Sequence, residues 1–159
     1  MAPKAKKSRA GARPIYVLNG PNLNLLGTRE PEVYGRHTLA QIAELTRSRA
    51  RAHGYGIDFR HSNREGELVD WLQEARTGAA GVVLNAAGYS HTSIAILDAC
   101  RMLDLPLIEV HLSNPYRREA YRRRSFISEA ATGVICGLGA QGYLLAIDAL
   151  AGILKDKTA

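Results

Sequence analysis

The sequence predicts an α/β fold, a single domain built on a parallel sheet of five strands. Short apolar runs rich in β-branched residues alternate with longer segments of helical period, as they do in βαβ units. Capping-box spacings mark the starts of two helical segments, and polar residues stand at the ends of several strands. With 159 residues and 46% hydrophobic side chains, the chain has about the size at which one domain buries a substantial core.

Each expected strand is a short apolar run. Helices that connect parallel strands pack on both faces of the sheet, and such a fold therefore has three layers. The expected strands are Ile15 to Asn19, Gly56 to His61, Gly81 to Asn85, Pro106 to His111 and Thr132 to Gly137.

Helical segments lie between these strands. Thr38 followed by Gln41 has the spacing of a capping box, and Ser62 followed by Glu65 repeats it, so both pairs mark helix starts. Gly78 is placed to end the second of these helices. Two more helices are expected, from about Thr92 to Met102 and from about Gln141 to Leu154.

Polar residues stand where three of the expected strands end. The first strand ends in Asn19 and leads to Asn22, the third ends in Asn85, and the fourth ends in His111. Five such strands commonly take the flavodoxin-like order 2-1-3-4-5, in which ligands bind beyond the carboxyl ends of strands 1 and 3. The sequence therefore predicts a three-layer, flavodoxin-like fold with its site at that edge of the sheet.

The net charge of +6 arises largely in the N-terminal segment. Five of the 21 Lys and Arg residues lie within residues 1–13, which contain no acid, and the rest of the chain is nearly neutral. This composition predicts a disordered basic tail over residues 1–13 and one folded domain over residues 14–159. A solubilising tail is favoured over an organelle-targeting peptide or a nucleic-acid-binding arm.

Several function classes lack their sequence signatures. No apolar run approaches the roughly 20 residues of a membrane span, and the N-terminus has no apolar signal core, so a cytoplasmic protein is expected. Cys100 and Cys136 lie in apolar stretches without metal-ligand spacing, which predicts buried, reduced thiols. The five histidines show no zinc-ligand spacing either, so we expect neither a metal nor a cofactor.

The connection from Gly20 to His37 is long for a compact domain and reads GPNLNLLGTREPEVYGRH. Gly27 and Gly35 bracket its second half and can act as hinges. We therefore predict a mobile lid, the name used below for residues 20–37. Tyr34, within the lid, is either a catalytic group or a ring that holds the loop against the core.

Tyr34 is the candidate general base. An unperturbed phenol has a pKa of about 10 and is mostly protonated at neutral pH. A guanidinium about 4 Å away favours the phenolate by on the order of 4 kcal/mol at an effective dielectric constant near 20. Arg29, in the same loop, is the predicted partner, with Arg36 as the reserve.

Glu109 and His111 stand two residues apart in a strand and are expected on the same face of the sheet. Histidine is a suitable general acid near neutral pH, and a nearby carboxylate favours its charged, donating form. The alternative is a purely structural histidine. Asn85 and Ser113, both at strand ends, favour the functional interpretation.

An arginine cluster follows the fourth strand. Most of its members are expected to face solvent, while one or two can form paired hydrogen bonds with a substrate carboxylate. Neighbouring Tyr116 and Tyr121 also permit a nucleic-acid patch, but the near-neutral body of the chain argues against it. The cluster comprises Arg117, Arg118, Arg122, Arg123 and Arg124.

Gly137, Gly139 and Gly142 spell G-x-G-x-x-G at a strand-to-helix junction. A dinucleotide-binding fold needs a further strand with an acidic residue about 20 positions on, and only one helix follows here. The glycines are therefore expected to allow tight packing of the last helix on the sheet.

Four long segments, in order, resemble the type II 3-dehydroquinases, and the resemblance spans about Ile15 to Leu154. The segments read LNGPNLNLLGTREPEVYG, LNAAGYSHTSIAILDA, LIEVHLSN and ATGVICGLGAQGYLLA. The resemblance implies a flavodoxin-like lyase that converts 3-dehydroquinate to 3-dehydroshikimate without a cofactor and assembles as a dodecamer, a tetramer of trimers.

The resemblance also implies residue roles. Tyr34 takes a proton from the carbon beside the ketone, with Arg29 favouring the phenolate, and Asn22 holds a water that stabilises the enol or enolate. His111 protonates the departing hydroxyl, and Glu109 orients or charges it. Asp98 is implied to reach the site from a neighbouring subunit. The other implied substrate-binding residues are Asn85, His91, Leu112, Ser113 and Arg122.

Alternatives remain open from the sequence. The same reaction serves shikimate biosynthesis, the default, and quinate breakdown. A flavin- or dinucleotide-binding module of the same fold and a nucleic-acid-binding protein are the rival classes. No lysine occurs between Lys7 and Lys155, so a core lysine that would form an imine is not available.

Overall fold

A computed structural model describes residues 12–158 and confirms the predicted fold class. The five strands form one parallel sheet in the predicted order 2-1-3-4-5, numbered along the chain. Except for Ala12 and Arg13, the predicted tail lies outside the described residues. The strands are β1 (Ile15–Asn19), β2 (Ile57–His61), β3 (Gly81–Asn85), β4 (Leu107–His111) and β5 (Gly133–Cys136).

The helices cover both faces of the sheet in three layers. They are α1 (Pro31–Tyr34), α2 (Leu39–Ala52), α3 (Glu65–Gly78), α4 (Ile94–Arg101) and α5 (Gln141–Lys157). One core cluster lies beneath α2 and α5, and a second lies beneath α3 and α4. The last helix is longer than predicted, whereas α4 is shorter because Ser93 caps its start through a bond from the Ile96 N–H at 2.9 Å.

One of the two predicted capping boxes forms. Thr38 and Gln41 exchange both reciprocal bonds at the start of α2, at 3.2 and 2.9 Å. Ser62 is not a cap, because extended Arg64 occupies the N-cap position before Glu65. The Ser62 hydroxyl instead accepts the Arg64 N–H at 2.9 Å. The helix forms as predicted, but it begins two residues later than a Ser62 cap implies, and the prediction of the capping residue was wrong.

Glycines act here through close approach and through backbone conformation. Gly78 ends α3 as predicted, and a Cβ atom there would lie 2.6 Å from the Tyr16 hydroxyl. Gly137 and Gly139 have φ of +85° and +57° and so allow the tight turn from β5 into α5. Gly142 is buried against the sheet as the sequence predicts.

The lid is more regular than a long irregular loop. It contains a short 3₁₀ helix over Leu23–Leu25 and the single turn of α1, and Leu23 and Leu26 are buried in the core beneath α2 and α5. Gly27 and Gly35 have φ of +89° and +84° at the two ends of the segment that carries Tyr34.

The two thiols differ in environment. Burial, together with the nearby charge of Glu109, raises the pKa of Cys100 to about 12, so this thiol stays protonated. Cys136 is only half-buried, contrary to the prediction, because β5 is an edge strand with one neighbour. Neither is in a disulfide. Within residues 12–158, no helix has both the length and the apolar character needed to cross a membrane.

Candidate active site

A cavity of about 140 Å³ opens at the carboxyl edge of the sheet, where β1, β3 and β4 end. The lid, the loop after β3 and the arginine-rich segment after β4 surround it. Nine of the predicted site residues line it: Asn22, Arg29, Tyr34, Asn85, His91, His111, Leu112, Ser113 and Arg122.

Two arginines contact Tyr34. Arg118 donates to the phenol oxygen at 2.9 Å and to the Ser113 hydroxyl at 3.2 Å. The Arg29 guanidinium carbon lies 5.1 Å from the centre of the Tyr34 ring, over its face. Arg118 therefore occupies the position beside the hydroxyl that the sequence assigned to Arg29. Arg36, the reserve, is exposed and is not among the described residues that line the cavity.

His111 is bound to a buried carboxylate. Its Nε2 lies 2.6 Å from Oε1 of Glu109, which is fully buried. Because an ionised carboxylate only accepts hydrogen bonds, Nε2 carries the proton, and Nδ1 is the nitrogen that can exchange a proton with a bound molecule. Glu109 lies behind His111 and does not itself line the cavity.

Glu109 is ionised despite its burial. Burial alone raises its pKa, but hydrogen bonds from His111, Ser125 and Ser128 outweigh that effect and hold the pKa below its ordinary value. Ser125 donates to Oε1, and Ser128 donates to Oε2 at 2.5 Å. The buried negative charge therefore lies directly behind the His111 ring.

His91 stacks on His111, with the ring centres 6.3 Å apart and the planes 17° from parallel. Its Nδ1 lies 2.7 Å from the carbonyl oxygen of Arg124. A carbonyl only accepts, so Nδ1 of His91 carries the proton, and Nε2 of the neutral ring is an acceptor. His91 can therefore accept a hydrogen bond from a substrate hydroxyl.

Two asparagines complete the polar lining. Asn22 has a left-handed backbone with φ of 68°, and its N–H donates to the Asn63 side chain at 2.9 Å. Asn85 ends β3, and its side-chain oxygen accepts the Ala87 N–H at 3.1 Å. The left-handed backbone of Asn22 is strained for a residue other than glycine, and strain of this kind at the edge of a cavity is characteristic of functional sites.

The charged side chains that line the cavity are all arginines. Arg29, Arg118 and Arg122 line it, and none of its lining residues in the described chain carries a carboxylate. Arg122 is half-buried and donates to Glu119 at 3.0 Å. The remaining arginines of the cluster are exposed, as the sequence predicts. A cavity of this charge suits an anionic substrate.

One predicted site residue lies apart from the cavity. Asp98 is exposed on α4 and is not part of the lining that the described residues form. Across residues 12–158, no group of three or more His, Cys, Asp or Glu side chains is arranged to hold a metal ion.

Sequence reasoning missed three contributors. Arg118 was recognised only as a member of the arginine cluster, because spacing does not show which arginine meets the lid. Ser125 and Ser128 have no local signal, since their partner Glu109 lies in another element. Ser125 precedes the short helical turn Ile127–Glu129 and Ser128 lies within it, so only the folded chain shows that both reach the same carboxylate.

The groups in the cavity provide an acid and a base. A phenol beside a guanidinium can remove a proton from a substrate carbon, and a histidine hydrogen-bonded to a buried carboxylate can protonate a leaving oxygen. Together they suit the elimination of water beside a carbonyl group from an anionic substrate.

Comparison with known proteins gives the same result. A family model described as dehydroquinase class II matches residues 13–151. A 3-dehydroquinate dehydratase of Phenylobacterium zucineum is 57% identical over 144 residues, which cover 91% of this chain and 99% of the relative. The 3-dehydroquinate dehydratase 2 of Pseudomonas aeruginosa is 53% identical over 136 residues, which cover 86% of this chain and 92% of the relative.

The fold has a solved counterpart. The crystal structure of a type II dehydroquinase from Propionibacterium acnes matches with a TM-score of 0.87 and 40% sequence identity, covering 92% of this chain and 99% of that chain. The resemblance inferred from the sequence is thereby confirmed, and the chain belongs to the class II dehydroquinase family.

Proposed function

We propose that this protein is a 3-dehydroquinate dehydratase, a hydro-lyase that converts 3-dehydroquinate to 3-dehydroshikimate in the shikimate pathway of aromatic amino acid biosynthesis. The observation that carries the proposal is one cationic cavity holding both Tyr34 beside Arg118 and His111 beside Glu109. Family membership and the names of the relatives support the same reaction.

Tyr34 is the base in the first step. As the phenolate, it removes a proton from the carbon beside the ketone, and the electron pair of that bond forms an enolate. Arg118 stabilises the phenolate through the hydrogen bond at 2.9 Å, and Arg29 adds positive charge over the ring. Asn22, at the rim of the cavity, positions a water molecule against the enolate oxygen.

His111 is the acid in the second step. The enolate re-forms the ketone while the hydroxyl leaves, and the proton that the hydroxyl needs comes from Nδ1 of His111. Glu109 keeps Nε2 protonated and balances the positive charge of the ring. The departing hydroxyl and the proton from His111 form one molecule of water. The proton held by Tyr34 then passes through solvent to His111, so both groups regain their starting states and the substrate has lost one water in total.

The remaining polar groups hold the substrate. Arg122 pairs with its carboxylate, for which a guanidinium offers two parallel donors. His91 and Asn85 bind ring hydroxyls, and Ser113 and Leu112 contact the substrate where β4 ends.

We also propose assembly into a dodecamer in which Asp98 of a neighbouring copy completes each site. The support is the exposed face of α4, where Ile94 and Met102 are 57% and 46% exposed and flank Asp98 at helical spacing. Large apolar side chains exposed together on one helix face are typical of an interface. The proposed location is the cytoplasm, because both cysteines are unpaired.

The absorbance of a mixture of purified protein and 3-dehydroquinate tests the reaction. The product has a carbon–carbon double bond conjugated with its carboxylate, so ultraviolet absorbance rises as it forms. We expect a rise with the wild-type protein and none with His111→Ala. No rise with a folded, assembled protein would overturn the proposal, and thermal stabilisation by a flavin or dinucleotide would favour the rival class.

A further inference from the structure

A fully buried tyrosine of α5 connects two strands at the edge of the cavity. The Tyr143 hydroxyl lies 2.7 Å from the side-chain oxygen of Asn19, in β1, and 2.9 Å from the side-chain nitrogen of Asn85, in β3. Asn19 and Tyr143 are completely buried, and Asn85 is nearly so. Of the three, only Asn85 lines the cavity.

Backbone groups fix the direction of both amides. The Asn19 nitrogen lies 2.9 Å from the carbonyl oxygen of Arg60, so the Asn19 oxygen must face Tyr143. The Asn85 oxygen lies 3.1 Å from the Ala87 N–H, so the Asn85 nitrogen must face Tyr143. Rotating either amide by half a turn would set two acceptors or two donors against each other.

The hydroxyl of Tyr143 therefore has only one arrangement. It donates its single proton to the oxygen of Asn19 and accepts an N–H from Asn85. Every member of this chain of hydrogen bonds is satisfied, as buried polar groups require. The second N–H of the Asn85 amide is the one group that the chain leaves for the cavity.

We propose that Tyr143 and Asn19 are positioning residues for substrate binding, which act by holding the Asn85 amide with an N–H directed at a substrate oxygen. The proposal rests on the proposed role of Asn85 as a substrate-binding residue. It gives the strand-to-helix turn at Gly137 and Gly139 a function, since that turn sets the start of the helix that carries Tyr143.

Tyr143→Phe tests the proposal. It keeps the ring and removes the hydroxyl, so the Asn85 amide loses the partner that fixes it. We expect KM for 3-dehydroquinate to rise about tenfold with kcat nearly unchanged, because the lost contact is a binding contact. Asn19→Ala, outside the cavity lining, should raise KM in the same way and covers the case in which Tyr143→Phe fails to fold.

Two further variants make the result specific. Tyr16→Phe also removes a buried tyrosine hydroxyl, but one that donates to Glu74 at 3.3 Å and is not connected to Asn85, and KM should stay at the wild-type value. When Tyr143→Phe is added to Asn85→Ala, KM should not change further, because the amide that the Tyr143 hydroxyl holds in place is already absent.

The outcomes distinguish a failure of the proposed binding role of Asn85 from a failure of the positioning role of Tyr143 and Asn19. Wild-type KM in Asn85→Ala would show that Asn85 does not bind substrate, and the proposed site would need revision. A raised KM in Asn85→Ala together with wild-type KM in folded Tyr143→Phe and Asn19→Ala would overturn the positioning role alone. An equal rise of KM in Tyr16→Phe would also overturn it, because the effect would then follow from lost stability.

Discussion

Hydrogen bonds compensate for a buried charge and fix side-chain positions in the candidate site. Burying a carboxylate without partners is costly, and Glu109 has three donors that compensate for its lost hydration. At Tyr34 the decisive bond comes from Arg118, which also donates to Ser113 and is thereby held in place. The sequence indicated the members of this site by type, but only the fold shows which arginine meets the phenol.

The Arg118 bond to Tyr34 predicts a sharp effect on turnover. Arg118→Ala should lower kcat by about 100-fold or more, because the cation that stabilises the phenolate is removed. Arg118→Lys should restore part of the loss. The exposed neighbour Arg117 provides a matched control, and Arg117→Ala should keep wild-type kcat. Steady-state kinetics of the three variants checks this, and an equal kcat in Arg118→Ala and Arg117→Ala would remove Arg118 from the reaction.

The lowered pKa of Glu109 predicts how stability depends on pH. Its pKa in the folded protein lies below the ordinary value of 4.5, so ionised Glu109 contributes stability above about pH 4.5 that is lost as the pH falls through the folded-state pKa. The advantage of wild type over Glu109→Gln in free energy of unfolding should therefore shrink below about pH 4.5. Denaturant unfolding between pH 3 and 7 measures it, and a pH-independent difference would contradict the assigned ionisation.

The lid combines local order with special backbone conformations. Its α1 turn ends in Tyr34, and Gly35 follows with φ of 84° and ψ of 176°, a region that is essentially restricted to glycine. The sequence indicated Gly27 and Gly35 as special positions, because glycine is the residue that a positive φ requires, and their action as hinges stays a prediction. It predicted the Thr38 capping box because both partners are local. It misassigned Ser62 because the backbone stays extended through Arg64, so α3 begins only at Glu65.

The conformation of Gly35 predicts that a single methyl group disturbs catalysis. A Cβ atom there meets nothing within 4 Å, so Gly35→Ala acts through backbone strain, at a cost of roughly 1–3 kcal/mol. The strain should displace Tyr34 and lower kcat/KM about tenfold. Gly66→Ala, in the open first turn of α3, is the control and should retain activity with a slightly higher Tm. Wild-type kcat/KM in Gly35→Ala would show that the lid tolerates this strain.

The whole fold brings the site together from segments far apart in sequence. Parallel strands end at one edge, so the lid after β1, the loop after β3 and the segment after β4 meet there. That convergence could be predicted from strand order alone. The bonds of Ser125, Ser128 and Tyr143 could not, because each joins elements whose distance is set only by side-chain packing.

The exposed face of α4 predicts the effect of a charge on assembly. Ile94→Glu should replace the proposed dodecamer with smaller species, because the introduced carboxylate cannot be buried in an apolar contact. Activity should fall with assembly if Asp98 acts across the interface. Light scattering during size-exclusion chromatography measures the mass of the particle. Glu44→Gln, at an exposed position on α2, serves as the control and should keep the wild-type mass. A wild-type mass in Ile94→Glu would exclude this face of α4 as the interface between copies.

The measurement that tests the central claim most directly is turnover and binding of 3-dehydroquinate by Tyr34→Phe. The substitution removes only the phenol oxygen, so binding of the substrate, followed by calorimetry, should stay close to wild type. Turnover, followed by ultraviolet absorbance, should fall by roughly 10²- to 10⁴-fold, as expected for loss of a general base. Turnover near the wild-type rate in the folded variant would contradict the account and move the base to another residue.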